Sequence, residues 1–155
     1  MSPLDARVAV LVAELQREWG QIAVHLAKAG SVDPASGDAA AALVALSLDH
    51  AYQAFETWLV RLERALGLPE RGGAGWHLQL LLAAGQPVPG LRPAAYPMEA
   101  ASDWDDLRRF RHFLRRAYAV ALDPEKLRAN VARLERAVAA TDPHVAAVVA
   151  ALSGE

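Results

Sequence analysis

A serine or aspartate followed directly by proline occurs four times in this chain, at Ser2-Pro3, Asp33-Pro34, Asp123-Pro124 and Asp142-Pro143. Each pair has the chemistry of a helix start. The Ser or Asp oxygen accepts from a first-turn N–H that has no helical partner, and proline occupies the one turn where its missing donor costs nothing. Apolar residues recurring every three or four positions follow each signal, and no segment alternates as a strand would. The chain is therefore predicted to be all-α.

The first helix is expected from about Leu4 to Ala29, with Val8, Leu11, Leu15, Trp19, Ile22 and Leu26 on one face and Gly30 at its end. A second helix begins between Asp33 and Asp38 and runs to Leu66. Its stripe is Val44, Leu48, Ala51, Phe55, Leu59, Leu62 and Leu66, and Gly67 and Pro69 stop it. The stretch 67–75, GLPERGGAG, is a loop, and WHLQLLLAA after it is a short apolar helix. QPVPGLRPAAYP carries four prolines and is a second loop. Three further helices are predicted over Met98–Leu122, Pro124–Ala140 and Pro143–Leu152. Together they make an antiparallel bundle of four to five main helices plus short ones, in a single domain spanning 1–155.

A chain of 155 residues that is 54% hydrophobic can bury a core of this kind. Its formal net charge is −2, so any attraction for phosphate must be local. Fourteen of the sixteen basic residues are arginines, and five of these lie between Arg108 and Arg116. The chain has no cysteine, which excludes disulfides, thiolate metal sites and a cysteine nucleophile. With no basic leader and no apolar run long enough to span a membrane, a soluble cytoplasmic protein is expected. The histidines His25, His50, His77, His112 and His144 form no HExxH pattern, so neither a metal nor another cofactor is expected. RGGAG lacks the spacing and the Lys-Ser/Thr of a phosphate loop, and no serine lies in a nucleophile elbow. His25, near the end of the first helix, is placed to favour the helix dipole when charged. His50 and His144 are read as surface or cap residues. Trp76 is read as core and His77 as satisfying a backbone carbonyl.

What remains is DWDDLRRFRHFLRRAY, residues 103–118. As a helix it places Leu107, Phe110, Leu114, Ala117 and Ala121 on one face and Asp105, Arg108, Arg109, His112 and Arg116 on the other, with Arg111 and Tyr118 at the border. Two readings follow. In one, the guanidinium groups hold phosphate oxygens while a histidine shuttles protons, the chemistry of metal-independent RNA cleavage through the ribose 2′-hydroxyl. In the other, Arg108, Arg109, Arg115 and Arg116 are a solvated face tied to Asp105, Asp106 and acids on neighbouring helices. Under either reading Arg111 is expected to be partly buried and paired.

The segments WHLQLL at 76–81 and LRRFRHFLRRAYAVALDPEKL at 107–127 resemble the HepT-like branch of the HEPN superfamily, over about residues 45–130. These are helical proteins of prokaryotic toxin–antitoxin pairs. The resemblance implies a commonly homodimeric bundle acting as a metal-independent RNA endonuclease, neutralised by a nucleotidyltransferase antitoxin. The family's hallmark is an arginine, often followed by a polar residue, then a histidine four to six residues from that arginine and a tyrosine two positions beyond the histidine. Laid on this chain, the hallmark puts Arg111 at the arginine position, His112 at the polar position beside it and Tyr118 at the tyrosine position, which the resemblance implies is the site of regulatory modification. Joined to the basic helix face, this gives Arg111 and His112 as catalytic and Arg108, Arg109, Arg115 and Arg116 as contacts to RNA phosphate. Arg116 stands where the hallmark histidine falls. Arg108 to His112 is one residue short of the hallmark spacing, and Arg71 to His77 matches it only across the glycine loop. The departure leaves an alternative: a catalytically silent HEPN-fold binding module for an acidic protein partner or a nucleotide.

Overall fold

The helix carrying Val44 to Leu62 is the axis of the molecule. In a computed structural model describing residues 2–117 and 121–155, it touches every other helix. The order is α1 (Pro3–Ala29), a 3-10 turn (Pro34–Ser36), α2 (Asp38–Ala65), α3 (Trp76–Ala84), α4 (Met98–Arg116) and α5 (Pro124–Ser153). The described residues contain no strand, only one isolated bridge between Val88 and Arg92. Val44, Leu48, Ala51, Phe55, Leu59 and Leu62 are all buried, as their spacing predicts. None of the described helices is long and apolar enough to cross a membrane.

Three of the four proline signals act as written. Ser2 accepts from the Asp5 amide at 3.1 Å while Asp5 accepts from the Ser2 amide at 3.0 Å, a reciprocal capping box. Asp123 accepts from the Glu125 amide at 2.9 Å and opens α5. Asp33 accepts from the Ala35 amide at 2.9 Å, but it starts only the 3-10 turn; α2 begins after Gly37.

The fourth signal starts nothing. The helices expected over 124–140 and 143–152 are one, and α5 passes through Pro143. Proline in a helix interior removes one backbone bond and crowds the preceding turn, at a cost of about 3 kcal/mol. Tertiary contacts offset this at the same place. The Trp19 indole donates to Asp142 at 2.8 Å, and the Trp104 indole donates to the fully buried Thr141 at 3.0 Å. Asp142 is thus engaged by α1 rather than capping a new helix.

The α4 helix ends at Arg116, short of the expected Leu122, and Ala117 is extended. Its buried side is Ala100, Trp104, Leu107 and Arg111, with Phe110 and Leu114 only partly buried. Trp104 stacks on Phe55 of α2, with ring centroids 3.8 Å apart. Because Phe55 meets Trp104 while Asp49 meets Arg111, α2 and α4 run antiparallel.

The proline loop between α3 and α4 is folded by its own side chains. Buried Arg92 donates to the carbonyls of Gln86 and Pro93, both at 3.0 Å, closing the C-terminal end of α3. The Tyr96 hydroxyl donates to the Leu81 carbonyl at 2.6 Å, and burial, then Asp105, pushes its pKa up to about 12. Gly85 lets the ring approach closely, since a Cβ there would lie 2.8 Å from that hydroxyl and force it to shift. These contacts fix where α3 points, and so where its first turn meets α4.

Candidate functional site

Residues three, four and seven apart share a helix face, and on α4 that rule gathers Arg108, Arg111, His112 and Arg115. The same rule on α2 gathers Asp49, Tyr52 and Glu56. The two stripes oppose each other, and the first turn of α3 closes the gap. A cleft of about 160 Å³ results, lined by Tyr52, Glu56, Gly75, His77, Leu78, Arg108, Arg111, His112 and Arg115.

Arg111 is buried, and its Nη1 donates to Asp49 Oδ1 at 2.7 Å, with both side chains about nine-tenths covered. This meets the expectation of a buried, paired arginine, and the helix–helix crossing supplies the partner. Arg108 is not on an exposed face: its side chain is 19% exposed and donates through Nε to Asp105 at 2.9 Å. His112 and Arg115 stand exposed at the mouth of the cleft.

Two of the expected phosphate contacts lie elsewhere. Arg109 is exposed, pairs with Asp105 at 3.1 Å and lines a different groove with Phe110 and Phe113. Arg116 is exposed and takes no part in the cleft. Tyr118 lies outside the described residues. Asp106, read as a partner for the α4 arginines, instead pairs with Arg133 of α5 at 3.2 Å.

His77 departs from its sequence reading. Its Nδ1 lies 2.7 Å from Glu56 Oε2, a carboxylate rather than a backbone carbonyl. Glu56 is 10% exposed and His77 48%, so the acid is fixed in the wall while the imidazole reaches the opening. Trp76 is partly buried rather than core, and it stacks on His77 at 3.7 Å. Gly75, in the left-handed region at φ 78°, makes the turn into α3, which has no side-chain cap at its N-terminus. Arg71 does not join the cleft. It forks onto Glu63 with contacts of 2.9 Å and pins the glycine loop, so it makes no hallmark pair with His77.

Tyr52 is 1% exposed, and its hydroxyl has no hydrogen-bond partner among the described residues. Burial, and next the nearby Glu56, push its pKa well up, so it is a neutral donor. The sequence reading does not single out Asp49, Tyr52 or Glu56. One signal was available: acids seven apart on an otherwise apolar helix require partners.

The remaining histidines are outside the cleft. The His25 and His50 rings lie 5.4 Å apart, and burial, then His50 and Lys28, lower the His25 pKa, opposite to the dipole effect expected. His144 Nδ1 lies 3.2 Å from the Ala94 carbonyl and ties α5 to the proline loop.

A family model described as HepT-like protein matches residues 43–152, which includes every side chain lining the cleft. No curated protein and no solved structure matches the chain.

Proposed function

This chain belongs to the HepT-like protein family of the HEPN superfamily, and on that basis we propose that it is a metal-independent endoribonuclease acting as the toxin of a toxin–antitoxin pair. The observation that carries the reading is the convergence of two histidines and three arginines from two helices on one cleft. Cleavage of RNA without a metal needs a proton acceptor for the 2′-hydroxyl, a donor for the leaving 5′-oxygen and cations for the charge that develops on phosphorus. His112 acts as acid or base. Arg108 and Arg115 hold the phosphate, and Arg111, held rigid in the cleft wall by Asp49, positions it. Arg109 and Arg116 contact the RNA backbone beyond the cleft.

The partner is a nucleotidyltransferase antitoxin that silences the toxin by modifying Tyr118, and the working form is a homodimer located in the cytoplasm. Inducing the protein alone is expected to arrest growth and fragment RNA. His112→Ala is expected to abolish both, and co-expression of the antitoxin to prevent them. Intact RNA after incubation with purified native protein would refute the nuclease, and a monomer by sedimentation at micromolar concentration would refute the dimer.

One observation favours a second reading, a silent module that binds an acidic protein or a nucleotide. Arg116 occupies the hallmark histidine position and is exposed outside the cleft, while Arg111 is already neutralised by Asp49. That reading requires tight partner binding with no RNA cleavage.

A further inference from the structure

We propose that His77, oriented by Glu56, is the general base of the cleft and that the N-terminus of α3 binds the scissile phosphate. This rests on the nuclease reading and assigns its proton transfers.

The first-turn amides of a helix point outward without backbone partners and carry the positive end of the dipole, which makes that turn an anion site when nothing caps it. Helix α3 has no side-chain cap, and Gly75, His77 and Leu78 of its first turn face the cleft. A second feature marks the same place. Tyr52 lines this cleft, and its hydroxyl is buried with no partner among the described residues, so it is a neutral donor awaiting an acceptor. Arg108 and Arg115 face this turn from α4. Amides, a phenol and two guanidinium groups form a donor set suited to a phosphodiester.

The hydrogen bond to Glu56 sets the chemistry of His77. With Nδ1–H donated to the carboxylate at 2.7 Å, the lone pair of the neutral ring is on Nε2, and stacking on Trp76 fixes the plane. In the reaction, Nε2 of His77 takes the proton of the ribose 2′-hydroxyl and the 2′-oxygen attacks phosphorus. The bond from phosphorus to the 5′-oxygen breaks, and that oxygen takes a proton from the imidazolium of His112. The products are a 2′,3′-cyclic phosphate and a free 5′-hydroxyl. Exchange with water returns both histidines to their starting forms.

The test uses the full-length protein and a short oligoribonucleotide, with a fully 2′-O-methylated copy as control. Removing a general base costs about 10²- to 10⁴-fold in rate. His77→Ala is expected to lose cleavage by at least about 100-fold and to recover part of it when imidazole is added, which a purely structural side chain would not do. Glu56→Gln, which keeps a polar group but not the charge, is expected to lose about 10- to 100-fold. Helical circular dichroism of each variant verifies the fold. If the native protein cleaves and His77→Ala cleaves equally well, or is not rescued, the assignment of His77 is overturned while the nuclease stands. If the native protein cleaves the methylated copy as fast, or neither substrate, the nuclease reading falls and this inference with it.

Discussion

Replacing Asp49 by alanine removes the only ion-pair partner of Arg111 among the described residues and leaves a guanidinium in a wall where its side chain is 10% exposed. Breaking a buried pair from one side costs about 3–5 kcal/mol, because the surviving charge is neither hydrated nor compensated. The pair is slightly open at the cleft, so about 3 kcal/mol is the better expectation. With a urea dependence of about 2 kcal/mol/M, the unfolding midpoint should fall by about 1.5 M. The double variant Asp49→Leu with Arg111→Met replaces both charges by apolar groups and should lie within about 1 kcal/mol of the native protein. Urea titrations of the native protein, Asp49→Leu, Arg111→Met and their double variant, followed by circular dichroism, give the coupling directly. A loss below about 1 kcal/mol for Asp49→Ala would place the pair in the class of exposed salt bridges and refute the buried-wall argument. The cycle also clarifies activity measurements, since loss of cleavage in Arg111→Ala is otherwise confounded with unfolding.

Gly85→Ala should displace the Tyr96 hydroxyl from the Leu81 carbonyl and destabilise the protein by about 1–3 kcal/mol; an unchanged melting temperature would show that the 2.8 Å approach is readily relieved. The lowered His25 pKa has a definite sign: between the folded value and the ordinary imidazole value near 6.5, the unfolded chain binds more protons. Stability is therefore complete above that window and declines as pH falls through it. His25→Gln should flatten the melting temperature between pH 7.5 and pH 5.5, and an unaltered slope in the variant would assign the effect to other groups.

The helices were legible because backbone propensity and apolar period are local. Six of the seven stripe residues of α2 are buried, and three proline signals cap helices. Pro143 was misread for the opposite reason. Its fate depends on Trp19 and Trp104, which are distant in sequence and hydrogen-bond at Asp142 and Thr141. Likewise, the arginines of α4 sort by what lies across from them, not by their own helix.

Sequence by itself determined an all-α chain, the boundaries of most helices, a concentration of arginine on α4 and the family. Only the tertiary structure decided which side chains line the cleft. It buried Arg111 against Asp49, moved Arg108 into the cleft, left Arg109 and Arg116 outside it, and brought His77 and Glu56 to the opposite wall. A helix face is set by periodicity within one segment. A cleft is set by the crossing of segments, and the partners Asp49–Arg111 and Glu56–His77 are 62 and 21 residues apart along the chain.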